Sequence, residues 1–148
     1  MNKSWIANGF TVANALFGGL SIMMSISGEY HVAAICILIA MAADAFDGRV
    51  ARALGTAGPM GVELDSLSDD ISFGVAAGAL IYSYQLRELG AFGFIPCALL
   101  GAFCAFRLAR FNVKVTSVHG YFEGLPCPTV GVIIACYVLS GVKIWNWL

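Results

Sequence analysis

Charged side chains are scarce in this sequence. Lysine, arginine, aspartate and glutamate make up 11% of the 148 residues, whereas 59% of the residues are hydrophobic. Soluble domains carry about a quarter charged residues, so the composition predicts an integral membrane protein. The net charge is −1 and no basic cluster is present, which argues against a nucleic-acid partner.

Paired cysteines are also missing. The chain has five cysteines, an odd number, and none stands in a C-x-x-C pair. This pattern argues against a zinc site or a disulfide framework and favours small apolar residues inside helices. A cleavable signal peptide is not expected either, because Asn8, Thr11 and Asn14 interrupt the first apolar run.

Long apolar runs are what the sequence does have. Crossing a bilayer takes roughly 20 apolar residues in a helix. Short polar or glycine-containing segments separate the runs, and the second is expected to continue as a helix through Arg52. We predict an all-α integral membrane protein whose single domain covers residues 1–148, with five visible transmembrane helices at about 10–27, 32–46, 64–84, 91–111 and 129 to the end.

The distribution of basic residues predicts an orientation. Six lysines and arginines fall on one side of these spans and two, Arg87 and Lys143, fall on the other. Cytoplasmic loops carry the excess of basic residues. The first side is therefore expected to face the cytoplasm; its basic residues are Lys3, Arg49, Arg52, Arg107, Arg110 and Lys114.

Four aspartates stand out against this apolar background. Asp44 and Asp47 end the second span, and Asp65 and Asp69 open the third. Spacings of three and four residues put each pair on one helix face, and a short connection makes the two helices neighbours. Carboxylates near a membrane interior are costly and usually functional. Hard divalent cations bind such oxygens, so we expect two Mg²⁺ or Mn²⁺ ions and a diphosphate substrate.

Small and basic residues are interleaved with these aspartates. Gly48 has no side chain to block a closely approaching ligand, Ala51 lies one turn away, and Arg52 can bind phosphate through two hydrogen bonds. Gly61 leaves space for a nucleotide. Asp69 lies one turn deeper than Asp65 and is the candidate general base for an attacking hydroxyl.

Neighbouring acidic residues have other expected roles. Asp70 points about 100° around the helix from Asp69, which favours a solvated or supporting position over catalysis. Glu63 is expected to face the loop. Gly74 and Gly78, four residues apart in the third span, are expected to allow close helix packing within the molecule rather than dimerisation.

The whole stretch reads D-x2-D-G-x2-A-R-x8-G-x3-D-x3-D from Asp44 to Asp69. It resembles the signature of the CDP-alcohol phosphotransferases, membrane enzymes of phospholipid synthesis. The resemblance implies transfer of a phosphatidyl-type group from a CDP-linked lipid to an alcohol, with release of CMP. It also implies a homodimer and an active site at the cytoplasmic face of the membrane.

The resemblance also implies residue roles. Metal would be held by Asp44, Asp47, Asp65 and Asp69, and Asp69 would be the general base as well. The CDP site would comprise Asn14, Asp44, Gly48, Ala51, Arg52, Gly61 and Asp65. For Asn14, a bond to the nucleotide and a bond to the backbone of the bundle remain open alternatives.

Two further stretches indicate the acceptor. Thr11, Asn14 and Gly18 form T-x2-N-x3-G, and residues 107–112 and 122–128 read R-L-x-R-F-N and F-x-G-L-P-x-P. These patterns resemble the phosphatidylserine synthase branch of the family and imply L-serine as the acceptor. The candidates for a lipid-phosphate or serine pocket are Arg107, Arg110, Asn112 and Lys114. For the basic residues among them, the alternative role is to anchor the cytoplasmic side of the membrane helices.

The resemblance implies six membrane helices, although only five spans are visible. We therefore expect either a chain truncated at its C-terminus or a member without the sixth helix.

One alternative function keeps the chemistry and replaces serine with glycerol phosphate or inositol phosphate as the acceptor. A more remote alternative is a divalent-metal channel or transporter, although carboxylates clustered at one face do not form a path through the membrane.

Overall fold

The structure, a computed structural model, describes residues 4–55, 58–114 and 126–143. It contains five helical rods and no strand within these ranges, which confirms the predicted all-α class and the number of helices. The third rod comprises two α-helices, α3 and α4, joined without a break by the π-helical turn Asp70–Val75. The helices are α1 (Ser4–Ile26), α2 (Tyr30–Leu54), α3 (Pro59–Asp69), α4 (Ala76–Tyr84), α5 (Ala91–Lys114) and α6 (Cys127–Leu139).

Glycine and proline set the ends of the rods. Gly28, with φ of 85°, makes the turn between α1 and α2, a backbone conformation that side-chain-bearing residues rarely adopt. Pro59 occupies the first turn of α3, where its missing N–H costs no hydrogen bond. α3 therefore starts five residues before the predicted span at 64. α5 continues beyond the predicted end at 111, to Lys114.

The interior is built from small and polar residues, and the outside is apolar. Alanines fill much of the buried core, and five of the serines and threonines whose burial the structure describes are buried as well. Large apolar side chains point outward; Phe92 is 80% exposed and Ile26 is 73% exposed. Small residues let membrane helices approach closely, and lipid solvates the outer face. The arrangement is that of a membrane bundle.

Among the described residues, three helices are long and apolar enough to cross a membrane: Asn8–Ile26, Tyr30–Val50 and Ala91–Val113. The third rod carries the acidic residues and the π turn, and α6 is shorter.

Gly74 and Gly78 pack against α5. A Cβ at Gly78 would lie 2.8 Å from the backbone oxygen of Cys97, and one at Gly74 would lie 3.2 Å from the Cα of Gly101. The prediction that these glycines serve packing within the molecule is confirmed.

Candidate active site

Three of the four aspartates converge at one end of the bundle. Asp44 and Asp47 lie on the last turns of α2, and Asp65 lies on α3. One carboxylate oxygen from each lies within 4.8 Å of the other two. Glycine at 55 and 58 and proline at 59 allow the reversal that brings the two helices together.

The convergence is electrostatically unfavourable without a cation. Two unit charges 4.8 Å apart repel by about 3 kcal/mol at an effective dielectric constant near 20. Asp47 is only 6% exposed, and the buried Oδ1 of Asp65 has no hydrogen-bond partner among the described residues. An all-oxygen donor set with an unused buried oxygen fits a hard divalent cation. These residues could hold such an ion.

Asp69 joins this group from one turn deeper on α3. It is 7% exposed. The side-chain amide of Asn14 donates to Asp69 Oδ1 at 3.0 Å. Of the two alternatives left open for Asn14, neither describes this contact, because its amide orients a carboxylate of the site.

Thr11 is a site residue that the sequence interpretation missed. Its hydroxyl donates to Asp47 Oδ2, and Thr11 itself is 4% exposed. A donor behind a metal-binding carboxylate fixes the direction in which that carboxylate points. The signal was present in T-x2-N-x3-G, since Thr11 and Asn14 are three residues apart on one face of α1.

The glycines of the motif differ in their surroundings. Of the described residues, a Cβ at Gly61 would meet only Asn8, whose Oδ1 would lie 3.9 Å away, so packing among them does not require glycine there. Gly48 is half-buried on α2 beside Asp47. Ala51 and Arg52 follow on the same helix, and their side chains lie outside the described part of the structure.

The predicted basic pocket is only partly assembled. The Arg107 guanidinium lies 3.6 Å from Cys127 Sγ, which places it at the start of α6. Arg110 is exposed, and nothing described brings it to the same place.

Asn112 makes a helix-to-helix contact. Its side-chain amide donates to Ser66 Oγ at 3.0 Å, which ties the end of α5 to α3 beside Asp65. The side chain of Lys114 and the segment 115–125 lie outside the described residues, and so does most of the predicted F-x-G-L-P-x-P loop.

The two acidic neighbours of the site, Glu63 and Asp70, differ in their exposure. Glu63 is exposed, as expected. Asp70 is half-buried, with its Oδ1 buried and without a hydrogen-bond partner among the described residues. A Cβ at Gly74 would lie 2.6 Å from that oxygen, so the absence of a side chain at Gly74 makes room for the Asp70 carboxylate.

Several known proteins are similar to this chain in sequence. Residues 4–148 match the family model described as CDP-alcohol phosphatidyltransferase. A CDP-diacylglycerol–serine O-phosphatidyltransferase of Helicobacter pylori is 37% identical over 137 residues, which cover 92% of this chain and 58% of that protein. An archaetidylserine synthase of Methanothermobacter thermautotrophicus is 40% identical, over 88% of this chain and 56% of that protein.

A CDP-diacylglycerol–serine O-phosphatidyltransferase of Bacillus subtilis is 38% identical over 84% of this chain and 70% of its own length. No solved structure matches the chain. The chain spans less than two thirds of the length of the first two relatives described, whereas the family model extends over nearly all of this sequence. The chain therefore belongs to the CDP-alcohol phosphatidyltransferase family.

Proposed function

We propose that this protein transfers a phosphatidyl group from CDP-diacylglycerol, or an ether-lipid analogue, to the hydroxyl of L-serine. The products are phosphatidylserine and CMP. The observation that carries the proposal is the convergence of Asp44, Asp47 and Asp65, with Asp69 one turn deeper, in a chain of this family. Serine as acceptor is supported by relatives named for serine transfer.

Asp69 is the general base of the proposed reaction. It accepts the proton of the serine hydroxyl while the serine oxygen forms a bond to the lipid-linked phosphorus. The bond between that phosphorus and the CMP oxygen breaks, and CMP leaves with the electron pair. The Asn14 amide, 3.0 Å from Asp69 Oδ1, supports this role because it fixes the orientation of the carboxylate.

Asp44, Asp47 and Asp65 would hold Mg²⁺ or Mn²⁺, and Asp69 would contribute to a second ion. When bound, these ions supply positive charge to the diphosphate and the leaving CMP. Gly48, Ala51, Arg52 and Gly61 complete the proposed CDP site together with Asp44, Asp65 and Asn14. The buried Asn14 Oδ1 has no hydrogen-bond partner among the described residues.

The lipid phosphate and the serine carboxylate are proposed to bind at the junction of α5 and α6. Arg107 lies there, with its guanidinium 3.6 Å from Cys127 Sγ, and guanidinium binds phosphate and carboxylate well. Arg110, Asn112 and Lys114 are the other candidates. The protein is further proposed to act as a homodimer in the cytoplasmic (inner) membrane with the site facing the cytoplasm.

The test is a product assay. Purified protein in vesicles that contain CDP-diacylglycerol is given serine, glycerol phosphate or inositol phosphate, and CMP and the lipid product are identified by mass spectrometry. We expect CMP and phosphatidylserine with serine alone. Product from a phosphorylated polyol and none from serine would overturn the acceptor.

Asp69→Asn tests the base in the same assay. Loss of a general base lowers kcat by about 100-fold or more. The matched control is Glu63→Gln, which removes one exposed carboxylate from the same helix and should leave kcat within about twofold. Wild-type turnover by Asp69→Asn would overturn the base assignment.

A further inference from the structure

A second line of contacts leads to Asp69 from the π-helical turn. Ser72, in that turn, is completely buried, and its hydroxyl donates to the backbone carbonyl of Asn14 at 2.9 Å. Asn14 is also completely buried and donates its side-chain amide to Asp69 Oδ1 at 3.0 Å. Ser72 thus holds the backbone of the same residue whose side chain holds Asp69.

Gly18 makes this contact close and rigid. A Cβ at Gly18 would lie 2.4 Å from Ser72 Oγ and 2.9 Å from Ser72 Cα. Real Cβ atoms do not approach backbone atoms so closely, so α1 reaches the π turn only because residue 18 has no side chain. The distance between α1 and the π turn, where Gly18 faces Ser72, is therefore set by backbone contact.

The position of the contact in the helix is also informative. The π turn, Asp70–Val75, begins directly after Asp69, and single π-helical turns inside α-helices are rare and often occur at functional sites. Ser72 lies three residues beyond Asp69, so both side chains face α1. The hydrogen bond that the described structure gives the Ser72 hydroxyl goes to the Asn14 carbonyl and not to the Asp69 carboxylate.

We propose that Ser72 is a positioning residue for Asp69 and that it acts through Asn14. The inference deepens the proposed function and rests on Asp69 as the general base. By holding the Asn14 carbonyl, Ser72 fixes the position of the Asn14 backbone relative to α3, and therefore the position from which the Asn14 side-chain amide donates to Asp69. A misplacement of a reacting group by about 1 Å costs up to about 100-fold in rate.

The first test compares Ser72→Ala with a matched control, Ser21→Ala. Ser21 is also completely buried, and its hydroxyl donates at 2.9 Å to a backbone carbonyl of a neighbouring helix, that of Ala33. The two changes remove the same kind of hydrogen bond. Ser72→Ala should lower kcat about tenfold with KM for both substrates within about twofold, whereas Ser21→Ala should leave kcat within about twofold.

The second test is a double-mutant cycle in kcat. If Ser72 acts through the Asn14 side chain, Ser72→Ala should lower kcat in the wild-type protein and should change it by less than about twofold when Asn14 is already alanine. An equal loss in both backgrounds would overturn the proposal, and so would equal kcat values for Ser72→Ala and Ser21→Ala.

Ser72→Cys provides a second variant if Ser72→Ala does not fold. It keeps a side chain of similar shape with a much weaker donor, and the same fall in kcat at constant KM is expected. Failure of the two proposals is distinguishable. Full activity of Asp69→Asn would overturn the assignment of Asp69 as the general base. If Asp69→Asn is inactive and Ser72→Ala keeps the wild-type kcat, only the positioning role of Ser72 is overturned. All variants are assayed with whichever acceptor the wild-type protein uses.

Discussion

At the scale of single residues, the aspartates of the motif differ in burial and in hydrogen bonding. Asp47 and Asp69 each receive a hydrogen bond from α1, from Thr11 and Asn14 respectively. Asp65 keeps a buried oxygen without a partner among the described residues. A carboxylate oxygen left without a donor in a buried site is costly unless a ligand completes it, which makes Asp65 the most informative residue for a metal test.

Asp65→Asn should weaken metal binding. Replacement of partners behind metal ligands lowers metal affinity about 10- to 100-fold, and loss of a direct ligand should cost at least as much. We expect the Mg²⁺ concentration for half-maximal activity to rise at least about tenfold. The measurement is CMP release in a Mg²⁺ titration after treatment with EDTA, which should abolish wild-type activity until Mg²⁺ or Mn²⁺ is restored.

Glu63→Gln is the matched control for this titration as well, since Glu63 is exposed and only two residues away on α3. Its Mg²⁺ requirement should equal that of the wild-type protein. Full activity of the EDTA-treated protein, or an unchanged requirement in Asp65→Asn, would contradict the proposed metal site.

At the scale of helices, backbone contacts at glycine decide where the rods lie. Gly18 meets the π turn from α1, Gly78 meets α5, and Gly131 on α6 meets Phe73, where a Cβ would lie 3.2 Å from Phe73 Cα. The third rod is thereby packed from three sides around the π turn. Because lipid supplies no hydrophobic force between helices, such close contacts contribute much of the bundle's stability.

Gly78→Ala should destabilise the bundle. Its Cβ would lie 2.8 Å from the backbone oxygen of Cys97, which cannot move without the helix, and overpacking of this kind typically costs about 1–3 kcal/mol. We expect the melting temperature in detergent, measured by circular dichroism, to be lower than that of the wild-type protein.

Gly19→Ala is the control, because a Cβ there meets none of the described residues within 4 Å. Alanine favours a helix over glycine by about 1 kcal/mol, so the melting temperature of this variant should not fall. Equal melting temperatures for Gly78→Ala and the wild-type protein would contradict the packing argument.

At the scale of the whole molecule, the two ends of the bundle differ in chemistry. One end carries the aspartates, Arg49, Arg107 and Arg110. The other end has an aromatic cluster, in which the ring of Tyr84 lies 5.6 Å from that of Tyr30 and 5.9 Å from that of Tyr137. The Lys143 ammonium lies 5.3 Å from the centre of the Tyr84 ring. The excess of basic residues at the first end favours the cytoplasm for the aspartates.

Cysteine labelling tests this orientation. In a background without the native cysteines, Glu88→Cys and Glu63→Cys place thiols at exposed positions on opposite ends. A membrane-impermeant maleimide should label Glu88→Cys in intact spheroplasts and Glu63→Cys only after permeabilisation. The reverse pattern would place the active site outside the cytoplasm.

Much of the candidate site could be predicted from the sequence. Helical spacing places Asp44 beside Asp47 and Asp65 beside Asp69, and the short connection between the two helices makes the pairs meet. Thr11 could not be assigned to Asp47, nor Ser72 to Asn14, since each contact joins residues at least 36 positions apart. Local periodicity carries no information about which face of α1 meets which neighbour.

The sequence by itself determined the class of the protein and the identity of its acidic cluster, because apolar length and i, i+3 and i, i+4 spacing are local properties of the chain. Only the tertiary structure decided how the cluster is supported. The π turn, the approach at Gly18 and the line from Ser72 through Asn14 to Asp69 depend on backbone contacts between distant helices. Such contacts arise from the packing of the whole bundle, which no single segment specifies.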